Sequence, residues 1–107
     1  MSRARDYAGG QGQAKSWNQC VGDGSAINDS FNVGTITDTA TGRINVNLTN
    51  NMNNDDYSMV GSQGDDGRIQ NCYSPSTSEY EAMTTISTNQ AAVDVSLNCS
   101  SVLGDLA

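Results

Sequence analysis

Apolar and polar residues alternate in short runs along the chain. The cleanest run is Ile44, Val46 and Leu48, with Asn45 and Asn47 between them. Strict alternation of this kind predicts a half-buried strand. Upstream, Trp17 and Gln19 fall on one side of an extended segment, Asn18 and Cys20 on the other, and Gly22-Asp23-Gly24 supplies a turn. Ala26-Ile27 opens a second run. Phe31 and Val33 keep the alternation, but Ile36 follows Val33 out of phase with Gly34 between them. That break predicts a β-bulge or kink at Gly34. Residues 37–42 have hairpin-loop chemistry, with Gly42 suited to a positive φ. Residues 50–56 form a polar loop around Met52. Residues 57–60 and 69–73 read as strands separated by a turn over 61–67, and Pro75 ends the second. Over residues 80–87, Tyr80, Ala82 and Thr84 oppose Glu81, Met83 and Thr85; a short helix over 78–83 is the alternative there. Val93, Val95 and Leu97 alternate again, and Val102-Leu103 leads to the end.

Turn signals recurring at intervals of roughly eight to twelve residues predict an all-β domain, an antiparallel β-sandwich of about six to eight strands. Its expected core is Ile27, Phe31, Val33, Ile36, Ile44, Val46, Leu48, Val60, Val93, Val95 and Leu97. Trp17 is expected as a core or interface anchor, because aromatic side chains dominate buried area in small domains. Residues 1–14 stand apart from the domain over 15–107. Arg3, Arg5 and Tyr7 precede a Gly/Gln-rich linker, which suits a docking arm that orders against a partner.

Composition narrows the function. The chain has 107 residues, twelve acidic and five basic side chains, net charge −7 and no histidine. Nearly half of the residues are Asn, Ser, Thr, Gly or Gln, so the core must be thin. The acidic balance argues against nucleic acid, whose phosphates demand a basic patch. No apolar run approaches the roughly 20 residues needed to span a bilayer, and the opening residues do not read as a secretory signal. Without histidine there is no His-based triad or His metal site. Cys20, Cys72 and Cys99 are an odd set with no CxxC spacing, so three reduced thiols without an intramolecular disulfide are expected. The carboxylate pairs Asp55-Asp56 and Asp65-Asp66 do not converge as a glycosidase dyad would, since neighbours on an extended chain point apart. They also lack calcium-loop spacing and read as solvated turn carboxylates. The expectation is a non-enzyme with no catalytic residues, no metal and no cofactor.

One stretch has a family likeness. Lys15-Ser16-Trp17-Asn18, Gly22-Asp23-Gly24-Ser25-Ala26-Ile27 and residues 30–38, Ser-Phe-Asn-Val-Gly-Thr-Ile-Thr-Asp, lead into Thr41-Gly42-Arg43 and the alternating strand to Leu48. Met52 and Tyr57 then bracket Asn53-Asn54-Asp55-Asp56, and the chain closes on Gly104-Asp105-Leu106-Ala107. This pattern resembles a module of tail-fibre and other virion proteins of tailed bacteriophages, with the character of H-type lectin sandwiches. The likeness is strong from Trp17 to Tyr57 and weak over residues 61–92. Cys20 and Leu48 stand where the module usually has aromatic residues.

The resemblance implies a structural virion protein, assembled in the host cytoplasm. It would be a fibre-tip or appendage knob that recognises the host surface. A capsid decoration protein stabilising the head is the alternative, and a phage depolymerase ranks below both. The implied partners are other virion proteins, reached through Arg3, Arg5 and Tyr7, and a host-surface glycan or protein. Asn53, Asn54, Asp55, Asp56, Asp65 and Asp66 are the expected receptor-facing loop residues, lying far from the arm. A homotrimer is expected, because a small sandwich gains burial by packing against neighbours. Neither nucleic acid binding nor membrane insertion is expected.

Overall fold

The computed structural model describes residues 13–107, so Arg3, Arg5 and Tyr7 of the expected arm lie outside the described residues. The chain forms eight strands: β1 (Ser16–Cys20), β2 (Ile27–Phe31), β3 (Val33–Ala40), β4 (Arg43–Leu48), β5 (Ser58–Gln63), β6 (Arg68–Tyr73), β7 (Glu79–Ile86) and β8 (Asn98–Leu103). They make two four-stranded antiparallel sheets, ordered β2-β1-β8-β5 and β3-β4-β7-β6. The domain is therefore an all-β sandwich, without helix among the described residues.

Several local expectations match the structure. The β3–β4 pairing slips between Val33 and Thr35, at Gly34. Gly42 has φ 72° in the turn that joins Ala40 to Arg43, a conformation that costs glycine nothing extra. The strands extend further into the expected loop than the sequence suggested, leaving only Thr41 and Gly42 between them. Residues 80–86 are strand, with Tyr80, Ala82 and Thr84 buried.

The core corrects other expectations. Ile44, Val46, Leu48, Val33, Tyr80 and Ala82 point inward from the β3-β4-β7-β6 sheet and are buried. The β2-β1-β8-β5 sheet faces them with Ser16, Asn18, Asn98 and Ser100, also buried, alongside Cys20 and Val102. Phe31 and Val60, expected in the core, are exposed, as is Trp17. All three project from the outer face of that sheet. Ile27 and Ile36 are only partly buried against the core. Residues 93–97 form no strand despite their alternation; Val95 is buried in a loop, while Val93 and Leu97 are half-buried.

The polar inner face is tied to its neighbour through Tyr80. The Tyr80 hydroxyl and Ser100 Oγ lie 2.6 Å apart, and Asn18 Nδ2 donates to Ser100 Oγ at 2.9 Å. Burial pushes the Tyr80 hydroxyl above the ordinary tyrosine range, although its Ser100 hydrogen bond acts the other way. Lower in the sandwich, Gln70 Nε2 donates to Asn98 Oδ1 at 2.9 Å. Such bonds let polar side chains occupy an interior that would otherwise reject them.

Candidate functional site

Strand direction assigns each loop to one end of the sandwich. β1 enters at Ser16, paired with Val102, and leaves at Cys20, paired with Asn98. β5 begins beside Leu103 and ends beside Asn98. The chain therefore arrives at the end that also holds residue 32, the loops over 49–57 and 74–78, and residues 104–107. The opposite end holds residues 21–26, 41–42, 64–67 and 87–97.

This geometry separates the expected receptor-facing residues. Asn53, Asn54, Asp55 and Asp56 are exposed, but they lie at the end where β1 enters, not far from it. Asp65 and Asp66 lie at the far end. Of the loops expected to lie far from the arm, residues 65–66 thus lie far from where β1 enters and residues 53–56 do not. The physical reason is that the two loops flank a single strand, β5, and a strand's two ends point in opposite directions.

The entry end is closed by an apolar plug and an asparagine staple. Met52 is buried and makes an isolated bridge with Leu106. Asn53 N donates to Asp105 O at 2.8 Å, and Met52 N to Thr77 O at 2.8 Å. Tyr57 donates its hydroxyl to Ser76 O at 2.8 Å and meets Tyr80 edge-on at 6.5 Å. Asn32, at φ 58° between β2 and β3, joins three segments. Its Nδ2 donates to Lys15 O at 3.1 Å and Asn50 O at 3.2 Å, while its Oδ1 accepts from Asn50 N at 2.7 Å.

The far end is organised by residues 87–97, a loop in which Val93, Val95 and Leu97 alternate as in a strand. Val95 O accepts from Gly22 N at 2.9 Å, and Leu97 O accepts from Gly64 N at 3.1 Å. Asp94 Oδ1 accepts from Gly42 N at 2.8 Å, and Asp65 Oδ1 accepts from Ser96 Oγ at 2.7 Å. Each of the other far-end segments is therefore bonded to this loop, since Gly67 O also accepts from Ser87 N. Close approach makes glycine necessary: a Cβ at Gly22 would sit 2.1 Å from Val95 O. The readable signal was this set of glycines opposite one long loop, together with Thr88-Asn89-Gln90, which is turn chemistry rather than strand chemistry.

Far-end carboxylates mostly serve the fold. Hydrogen bonds from the Ser96 side chain and then its backbone hold Asp65 below the usual carboxylate range. Bonds from the Ser25 side chain and backbone lower Asp23 in the same way. Asp66, by contrast, is exposed beside this braced loop, with Thr88 and Asn89 also exposed. Among the described residues no cluster of three or more Cys, Asp or Glu could hold a metal ion. No described helix is long and apolar enough to cross a membrane. Burial raises the Cys20 thiol to about 11. Cys20 points inward from β1 while Cys99, paired with Gln19, points outward from β8.

No protein-family model matches the chain, and no curated protein or solved structure does either.

Proposed function

We propose that the protein is a structural component of a tailed-bacteriophage virion, a small knob anchored by its N-terminal segment. In this reading the far end contacts the polar host surface, and no catalysis is involved. The observation that carries it is the separation of the two ends. Residue 13 lies at one end, and a hydrogen-bonded, polar set of loops covers the other. A binding surface held in place before contact loses less entropy on binding. Its exposed hydroxyl, amide and carboxylate groups suit a polar ligand. The arm's Arg3, Arg5 and Tyr7 supply charge-assisted contacts and an aromatic anchor for a virion partner.

Deleting residues 2–13 should leave a folded domain that no longer incorporates into particles. The pair Asp66→Lys and Thr88→Lys should leave incorporation intact and reduce adsorption to host cells. Asp55→Lys at the entry end should leave adsorption unchanged. Normal incorporation of the truncated protein would remove the anchor. Unchanged adsorption by the far-end variant, with fragile heads in particles lacking the protein, would replace this reading with capsid decoration.

A further inference from the structure

The outer face of the β2-β1-β8-β5 sheet is explained by neither the core nor the ends. Phe31, Trp17 and Val60 are 51%, 40% and 54% exposed. The register sets them in one row across the sheet: Phe31 beside Trp17, Trp17 beside Ser101, Ser101 beside Val60. The small Ser101 leaves a hollow above β8, a cavity of about 260 Å³ walled by Trp17 on one side and by Val60 and Ser62 on the other. A solvated sheet face is normally polar, and a contiguous apolar patch on a small domain marks a contact surface.

We propose that this face binds a second copy of the same chain. The two sheets stack about a two-fold axis parallel to the strands, and each Trp17 indole enters the other copy's hollow above β8. The pairing does not depend on a role in a virion. The row is self-complementary in that arrangement: Trp17 meets Ser101 and Phe31 meets Val60, large against small in both pairs. Isologous contacts of this type close on themselves as dimers.

Charge limits which faces of two like copies can meet. Copies carrying −7 each repel wherever carboxylates approach within a Debye length of about 8 Å. The opposite sheet presents Glu79 and Glu81 from β7 with a single cation, Arg43 of β4, near them, and the ends present Asp55, Asp56 and Asp66. Among the described residues only Asp29, on edge strand β2, projects a carboxylate from the Trp17 face. Asp29 shares a row with Gln19, Cys99 and Ser62. The two-fold lays that row on itself in reverse, so Asp29 meets the Ser62 hydroxyl and no like charge. It also brings both copies' residues 13–15 to the same end of the pair. This stoichiometry differs from the homotrimer expected from the sequence.

Sedimentation equilibrium of the full chain over a wide concentration range tests the pairing. A monomer–dimer equilibrium is expected, weakened at least tenfold by Val60→Asp and by Trp17→Ser. Thr37→Asp, on the other sheet, should leave it unchanged. Far-UV circular dichroism and cooperative urea unfolding establish that each variant is folded. A monomer at every concentration, a trimer, or a dimer indifferent to Val60→Asp and Trp17→Ser would each overturn the proposal.

Discussion

In the β3-β4-β7-β6 sheet, Val33, Ile44, Val46 and Leu48 point inward, while Thr35, Thr37, Asn45 and Asn47 face out. In the β2-β1-β8-β5 sheet the order is reversed in part, for Cys20 and Val102 also point inward. Ser16, Asn18, Asn98 and Ser100 point inward, and Phe31, Trp17 and Val60 face out. Alternation guarantees that successive side chains take opposite faces, but it does not say which face is interior. In the first sheet apolar burial decides. In the second, Asn18 and Ser100 bond to Tyr80 and Asn98 accepts from Gln70 across the sandwich, while Ser16 Oγ is buried without a hydrogen-bond partner and apolar surface is left outside. One sheet thus holds the fold together, and the other has an outer face suited to association.

The largest expected effect contrasts the two sheets directly. Ile44→Ala should destabilise the domain by about 3 kcal/mol or more, since it empties a fully buried site. Val60→Ala, measured at concentrations where the chain is monomeric, should change stability by less than about 0.5 kcal/mol. Urea unfolding of both variants checks this, and a reversed order would break the comparison.

The loop that joins the sheets comes next. Gly22→Ala should cost about 2 kcal/mol, because its Cβ would lie 2.1 Å from Val95 O and backbone must move. Amide hydrogen exchange should quicken in residues 93–97 while β4 and β7 stay protected. Tyr80→Phe should cost about 1–2 kcal/mol. It removes a 2.6 Å bond to Ser100 and leaves buried polar groups short of a partner. A neutral result would show that Tyr80 does not set the phase of the polar sheet.

The smallest effect is electrostatic. Asp65 has its folded-state pKa lowered by Ser96. Its contribution to stability is therefore complete above the unfolded value of about 3.9 and is lost as pH falls through the folded value. Asp65→Asn should be less stable than the parent near pH 6, and the two urea midpoints should converge as the pH drops below about 4. Parallel curves over that range would remove Asp65 as a brace.

Much of this architecture is legible in the residues. The strand at Ile44, Val46 and Leu48, the bulge at Gly34, the turn at Gly42 and the grouping of Tyr80, Ala82 and Thr84 on one face all follow from local pattern, though not that this last face is the inner one. The phase of β1 does not. Asn18 contacts Tyr80 and Ser100 from 62 and 82 residues away, and no window of sequence contains those pairs. Val93, Val95 and Leu97 alternate because they fit around Gly22, Gly42 and Gly64, not because they belong to a ladder. The positions of the two Asp-rich loops were within reach of sequence reasoning, since loops on either side of one strand must lie at opposite ends. The roles of Arg3, Arg5 and Tyr7 depend on a partner, so the pattern of residues marks them without defining them.

The most direct test of the reversed sheet uses Trp17, the chain's single tryptophan. Acrylamide quenching of its fluorescence should be recorded across a dilution series, and for the Val60→Asp variant. At the lowest concentrations, and in that variant at all concentrations, the indole should be readily quenched and emit at long wavelength. As the parent chain is concentrated, emission should shift to the blue and quenching should fall. A blue, shielded Trp17 in dilute Val60→Asp would place the indole in the core and contradict the outward face of β1.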